Sequence, residues 1–568
     1  MGTRINRLTA ALISVIALCA TYASADASRE QVAGAIRSRL EQALYPRAIS
    51  VGREHIYDSL RVRLFYERRS YAPAWSTDRG MLPQALSLID SLSGAESHGL
   101  RARYYHVEEI RRMLRLLSNP GGDDAIPLLD LRAELDLLLT DGFFSYASDL
   151  MGGRMNPRIF PTWGGGVDRD LIVLLEGALS RGAVSESLEN LAPQDPAYRN
   201  LREALRRYRN IASTGGWESI PPGGKLEIGD RGRRVSSLRR RLKATGDLTA
   251  PEGEVFDHTL FEAVKVFQRR HGLATDGVVG SATLSALNVP VEERVRQMEL
   301  NLERMRWFPR EPGGRYILVN IPGFELSAFE GGRRVISMRA ITGRPSRPTP
   351  LLAELMTYLV LSPYWNVPPG IAAKDILPAV RKDPGYLRKN GFRVFRVTKE
   401  GISEVDPDTI DWSQASARDF LFRQEPGAKN AMGRVKFMFP NVYDVYIHDT
   451  PHRELFEKPV RAFSSGCIRI ENPIDLAEFV LRDSHGWTRE RILEEIDRNI
   501  EEVVYLPEPI PVYLVYYTAW VGEGGEVEFR DDVYGLDSLL DEALKTGRRA
   551  PFDTATLYLG RMKDESSC

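Results

Sequence analysis

A cysteine and a histidine set the chemistry open to this chain. Residues 446–470 read YIHDTPHRELFEKPVRAFSSGCIRI, and within them Cys467 follows the small residues Ser464, Ser465 and Gly466. The other two cysteines are Cys19, near the start, and Cys568, the last residue. A thiol with a pKa of about 8.5 is only a few per cent ionised at neutral pH, so a nucleophilic cysteine needs an imidazole or another positive neighbour. His448 supplies the imidazole. A tetrahedral intermediate also needs N–H donors, and the amides of Gly466 and Cys467 are candidates, with Gly466 letting the chain approach a carbonyl without a side chain in the way. Together these residues suit acyl transfer.

Each residue also has a plainer reading. A lone cysteine is often a small buried hydrophobe, and Cys467 joined to Cys568 would be a structural disulfide. His448 and His452 are spaced i, i+4, but Pro451 interrupts any helix there and no Glu lies between them as in H-E-x-x-H, so no metal is expected. His452 then reads as a surface or cleft-rim residue. Arg461 and Arg469 suit two-point binding of carboxylates and suit structural ion pairs equally well.

The histidine, the spacer, the small pair before Gly466-Cys467 and the following Ile468-Arg469 resemble the signature of the L,D-transpeptidases, bacterial cell-wall enzymes with a catalytic cysteine. Ser465 stands where the common pattern has a second histidine. With the run His448-Asp449-Thr450-Pro451, it is similar to the large multidomain Gram-negative-type branch of the family. The resemblance implies Cys467 as nucleophile, His448 as general base and acid oriented by the Asp449 backbone, and Gly466 at the oxyanion. It also implies substrate contacts at Tyr446, Ser464, Ser465, Arg461, Arg469 and Trp365, and no cofactor. The implied partners are peptidoglycan stem peptides and glycan, together with other wall-synthesis enzymes. The implied reaction joins diaminopimelate residues of neighbouring stems. Water as acceptor would make an L,D-carboxypeptidase, and glycine or a lipoprotein would make an exchange or anchoring enzyme. A wall endopeptidase and a non-catalytic wall-binding scaffold also stay open.

Something must position these residues, and 568 residues are too many for one core. Arg4 and Arg7 precede an apolar run from Leu8 to Ala20, and Ala23-Ser24-Ala25 offers a cleavage site, so residues 1–25 read as a signal peptide and the mature chain as periplasmic. Any membrane contact is then through an uncleaved leader. With 76 basic against 77 acidic side chains, nothing points to nucleic acid.

Residues 28–215 carry apolar residues at three- and four-residue spacing and read as a helical scaffold, with breaks at 120–122 and 164–166. Gly215, Gly216, Pro221, Pro222, Gly223 and Gly224 read as a linker. Residues 225–289 resemble the small three-helix peptidoglycan-binding domain, with Val235, Leu238 and Leu242 on one helix, Leu260, Val264 and Phe267 on the next, and a turn at Asp276-Gly277. Its arginines, Arg233, Arg234 and Arg239 to Arg241, read as a solvated basic face or a surface for an acidic polymer.

From 291 to 510 a connecting helix gives way to period-two runs, so the catalytic domain is expected to be mainly β. Residues 368–428 have a polar, Pro-interrupted texture too long for a loop, read as an inserted capping subdomain. Residues 511–568 read as a C-terminal β extension and tail. The whole is expected to be multidomain.

Overall fold

A computed structural model describes residues 28–42, 49–118, 127–155 and 170–545. The leader, Cys19, Cys568 and the breaks at 120–122 and 164–166 fall outside the described residues. Among the described residues, no helix is long and apolar enough to cross a membrane.

Helix α1 (Leu128–Gly152) is the axis of the N-terminal region and is buried nearly all round, the expected place for a helix without a polar face. Its aspartates would be costly there unless paired. Asp136 accepts from the Tyr66 hydroxyl (2.6 Å) and the amides of Ala74 and Trp75 (2.7 and 3.0 Å). Asp149 accepts from the Tyr105 hydroxyl at 2.9 Å. Asp141 accepts from the amides of Tyr57 and Asp58 (2.9 and 2.8 Å) and lies 2.7 Å from His106 Nε2.

His106 has a positive φ of 60° and places its Nδ1 3.2 Å from Glu54. Burial alone would lower its pKa, but the bonds and charges of Asp141 and Glu54 outweigh burial and raise it from 6.5 to about 9. A raised folded value means the stabilisation is complete below the unfolded pKa of about 6.5 and is lost as pH rises through about 9. At 1.36 kcal/mol per pKa unit this is of order 3 kcal/mol. Thermal melts should therefore fall between pH 6.5 and 9.5 in the wild type and stay flatter in His106→Gln; equal slopes would remove His106 as the cause.

Helix α2 (Pro196–Ser213) completes this region. Beyond it, α3 (Arg233–Thr245), α4 (His258–Arg270) and α5 (Ser281–Leu287) enclose Val235, Leu238, Leu242, Leu260, Val264 and Phe267. Gln268 pins the Asp276-Gly277 turn, donating to Asp276 (2.7 Å) and accepting from the Gly277 amide (2.8 Å).

Arg233 and Arg240 are exposed, but the rest of the arginine run does not form a solvated face. Arg239 and Arg241 are buried. Arg239 pairs with Asp257, and Arg241 donates to the Leu287 carbonyl (2.7 Å) while stacking 3.7 Å over Trp217. A guanidinium can be enclosed this way because its fork meets acceptors edge-on and its plane meets aromatic faces. Trp217 also donates to the Val289 carbonyl (3.0 Å), and Ile220 lies in the three-helix core, so the Gly/Pro linker is strapped down.

Helix α6 (Val291–Trp307) was expected to open the catalytic domain at 291. It instead buries Met298, Leu302 and Met305 in the helical region's core, against α2. Its charged residues conceal this, because they pair inside: Arg306 bonds Glu303 (2.5 Å), the Tyr198 hydroxyl (3.0 Å) and the His98 carbonyl (2.7 Å).

The β-rich domain is one sheet of nine strands. These are β1 (Arg315–Asn320), β2 (Glu325–Glu330), β3 (Arg333–Gly343), β4 (Leu352–Leu361), β5 (Val435–Met438), β6 (Ile447–His448), β7 (Ala462–Ser464), β8 (Ile468–Ile470) and β9 (Glu502–Val515). Their order is β7-β3-β8-β6-β5-β4-β9-β1-β2, and β2 pairs again with the long β3, so the sheet closes on itself and leaves few free edges. Ile317, Leu359, Phe437, Ile447, Ile468 and Val512 fill its interior.

Strand β9 overturns the boundary expected between 510 and 511. It lies centrally between β4 and β1, and the register shift between Tyr505 and Ile510 accommodates Pro507 and Pro509. Nor is the following part only β: a hairpin of Ala519–Val521 and Val527–Phe529 leads to helix α7 (Leu536–Lys545). Between β4 and β5, the insertion folds around its own core of Val380, Leu387, Val394, Trp412 and Phe422, with a separate four-stranded sheet.

Candidate active site

Strand β6 is two residues long and lies between β5 and β8. His448 is opposite Lys436 in the antiparallel pair and beside Arg469 in the parallel one. Side chains in register share a face and alternate along each strand. Lys436, Tyr446, His448, Cys467 and Arg469 therefore converge on one side of the sheet. The Lys436 Nζ is 4.1 Å from the Tyr446 ring centre, and the Tyr446 and His448 rings are 5.7 Å apart.

His448 is buried, and its Nδ1 donates to the Asp449 carbonyl at 2.5 Å. That bond fixes the tautomer, leaving Nε2 as the lone-pair nitrogen. Asp449 is itself immobilised, because its carboxylate accepts from the amides of Arg434 (2.8 Å) and Thr450 (2.7 Å) and from the Arg453 guanidinium. Burial first, then the nearby Arg469 charge, lowers the His448 pKa to about 3, so the ring is neutral at physiological pH.

Cys467 is half-buried, with its Sγ 4.0 Å from the Asp444 carbonyl. Burial pushes the thiol up, against the Tyr446 N–H and hydroxyl and the charges of Lys436 and Arg469, which all favour the thiolate. The resting state is thus a neutral thiol and a neutral imidazole, with two cations ready to stabilise negative charge once it forms.

Other expected site residues are placed differently. Gly466 has φ +117°, and a Cβ there would meet nothing closer than 3.6 Å, so the backbone conformation and not crowding calls for glycine. Its amide donates to Ser464 Oγ at 3.1 Å and must change partner before it can serve an oxyanion. Ser464 is buried and its hydroxyl donates to the Cys467 carbonyl (2.5 Å), which makes it a brace of the loop that carries Cys467.

Arg461 is also engaged within the protein. Its guanidinium is taken up by the carbonyls of Ala340 (3.1 Å), Lys458 (2.9 Å) and Phe324 (2.9 Å). Trp365 packs on Phe392 in the insertion's core. Ser465 is exposed and bonds Arg347, and Arg469 Nε is buried without a hydrogen-bond partner among the described residues. His452 is exposed beside Glu454.

Three contributors escaped the sequence reading. Lys436 left a faint signal, a lone charge in the apolar run VKFMF. Thr349 and Tyr534 left none: Thr349 Oγ1 donates to the Gly466 carbonyl (2.8 Å), and the Tyr534 hydroxyl donates to the Gly343 carbonyl (2.5 Å).

Parts of this chain resemble known proteins. Residues 314–497 match the L,D-transpeptidase catalytic domain, residues 231–287 a peptidoglycan binding domain and residues 61–205 a scaffold domain. A protein of Haemophilus influenzae named as an L,D-transpeptidase is 33% identical over 249 residues, 44% of this chain and 49% of that one. The N-acetylmuramoyl-L-alanine amidase CwlM of Mycobacterium tuberculosis is 41% identical over 75 residues, 11% of this chain and 18% of that one. The chain thus spans about half the length of the first relative and under a fifth of the second. A crystal structure of an L,D-transpeptidase from Stackebrandtia nassauensis aligns with 52% of this chain and 97% of its own at 13% identity, with a TM-score of 0.21 that carries no further argument. The chain therefore carries an L,D-transpeptidase catalytic domain together with a peptidoglycan-binding domain and an N-terminal scaffold domain.

Proposed function

We propose that the protein is an exported, periplasmic L,D-transpeptidase that cross-links diaminopimelate residues of peptidoglycan through a Cys467 acyl-enzyme. The observation that carries this reading is the sheet face shared by Cys467 and His448, whose Nδ1 is held by the Asp449 carbonyl. His448 Nε2 takes the thiol proton as sulfur attacks the carbonyl of the third residue of a tetrapeptide stem. Lys436 and Arg469 offset the charge that develops. The intermediate collapses by breaking the bond to the terminal D-alanine, whose amine leaves with the proton from His448. The side-chain amine of diaminopimelate in a second stem then attacks the thioester, His448 accepts its proton, and the thiol is restored. No step calls for a metal or organic cofactor.

The peptidoglycan-binding domain supports a wall polymer as partner, and the insertion, as a cover over the cleft, would keep water from the thioester. Purified protein and disaccharide-tetrapeptides should yield a dimer lighter than two monomers by one D-alanine, read by mass spectrometry. Shortened monomers alone would make the protein a peptidase, and no product at all would leave a binding scaffold.

A further inference from the structure

The segment joining β3 to β4 runs beside the nucleophile loop and is held in one shape. Gly343 donates to Thr349 Oγ1 (2.8 Å), Arg347 N–H to the Arg344 carbonyl (2.8 Å), and Arg344 N–H to the Ser464 carbonyl (3.0 Å). A Cβ at Gly343 would stand 2.3 Å from the Arg347 carbonyl oxygen, so the turn closes this tightly only around glycine. Its two arginines point at a single carboxylate on the insertion. Arg347 Nη1 lies 2.5 Å from Asp375 Oδ2 and 3.0 Å from Ser465 Oγ, with Nη2 3.4 Å from Asp375 Oδ1. Arg344 Nη2 is 3.6 Å from Asp375 Oδ1, outside hydrogen-bond range.

Asp375 sits in a π turn, Ala372–Ile376, within an otherwise α-helical stretch. Such turns are rare and gather at functional sites. Two guanidinium groups on one carboxylate leave a positive excess, and all three side chains keep contact with solvent. A plain structural latch would need one arginine.

We propose that Arg344 and Arg347 form a carboxylate subsite beside Cys467, filled in the free protein by Asp375 and given over to a carboxylate of the stem peptide when substrate is seated. The subsite rests on the transpeptidase reading for its ligand, since stem peptides are rich in carboxylates. A guanidinium fork matches a carboxylate in two-point geometry, and an amide in the same place loses the charge. Exchange of Asp375 for substrate would also couple movement of the insertion to correct loading of the site.

Calorimetry on the Cys467→Ala protein reads the subsite without turnover. The probes are the tetrapeptide stem and its carboxamide analogues, amidated singly at isoglutamate, at diaminopimelate and at the terminal D-alanine. One amidation should weaken binding about ten- to a hundredfold, the range of a charge-assisted bond. Adding Arg344→Met and Arg347→Met should erase that difference by weakening the acid and leaving the amide unchanged, whereas Asp375→Asn should tighten the acid several-fold. Arg347→Lys keeps the charge without the fork, and should retain part of the preference if the double variant proves unstable in a melt.

Equal binding of acid and all amides, or equal loss of both in the arginine variants, would overturn the subsite. Its failure is separate from that of the transpeptidase reading: discrimination without any cross-linked dimer from wild-type protein would sink the reading and leave the subsite standing.

Discussion

Cys467→Ala should abolish both cross-linking and adduct formation with a carbapenem, an acyl-donor mimic expected to add once, at that sulfur. His448→Ala should lower turnover by about a hundredfold or more, the usual scale of a general base. The pH dependence is the sharper test. Burial holds the imidazole at about 3 and pushes the thiol up, so there is no thiolate–imidazolium pair at rest. Adduct formation should therefore climb steadily with pH from 6 to 9, with no step near 6.5. Stopped-flow or intact-mass time courses would show it. A plateau reached by pH 7 would mean that the thiol is already ionised, and near-normal turnover in His448→Ala would remove it as the base.

Phe529→Ala should cost about 3–5 kcal/mol, the range for emptying a buried phenyl site. The ring is buried in the C-terminal hairpin, where three parts of the chain meet. Tyr208 of α2 meets it edge-on at 5.8 Å, His271 of the peptidoglycan-binding domain stacks at 5.5 Å, and the Arg294 guanidinium of α6 lies 4.6 Å over it. Burial and the neighbouring cations hold His271 well below 6.5, so it is neutral in the stack. Arg270 and Arg530 tie the same junction through the Val527 carbonyl (3.2 Å) and the Arg270 carbonyl (3.0 Å). Removing the ring should lower the melting temperature and open the strap at residues 215–224 to protease. A variant that melts and resists cleavage like wild type would show that the three parts hold together without it.

The legible parts of this chain were those written in local patterns. Periods of 3.6 and 2 located the three helices around Val235 and Phe267 and the strands around Ile317, because one buried face imposes its own spacing. Cys467 and His448 could be singled out because a nucleophile with its base has few alternatives in residue type. Partners distant along the chain were hidden. Arg241 read as part of a surface face, since a distant carbonyl that lets an arginine be buried leaves no mark beside it. Tyr534 reaches the segment next to Cys467 from beyond the matched catalytic region, and Ser464 read as a substrate contact, with nothing beside it to show that its hydroxyl turns inward. The boundary at 510 failed because two prolines imitate a strand end where a long central strand merely bulges.

Strand β9 also sets an order of events. It is the last of the nine in sequence, yet it fills the gap between β4 and β1. A chain that emerges N-terminus first can begin its helices early, but their shared core waits for Phe529 and the sheet stays split until residue 515 is out. The long separation between β1 and β9 makes that final insertion slow and leaves two open strand edges meanwhile. A chain stopped before residue 515 thus holds Cys467 and His448 without the closed sheet that supports them.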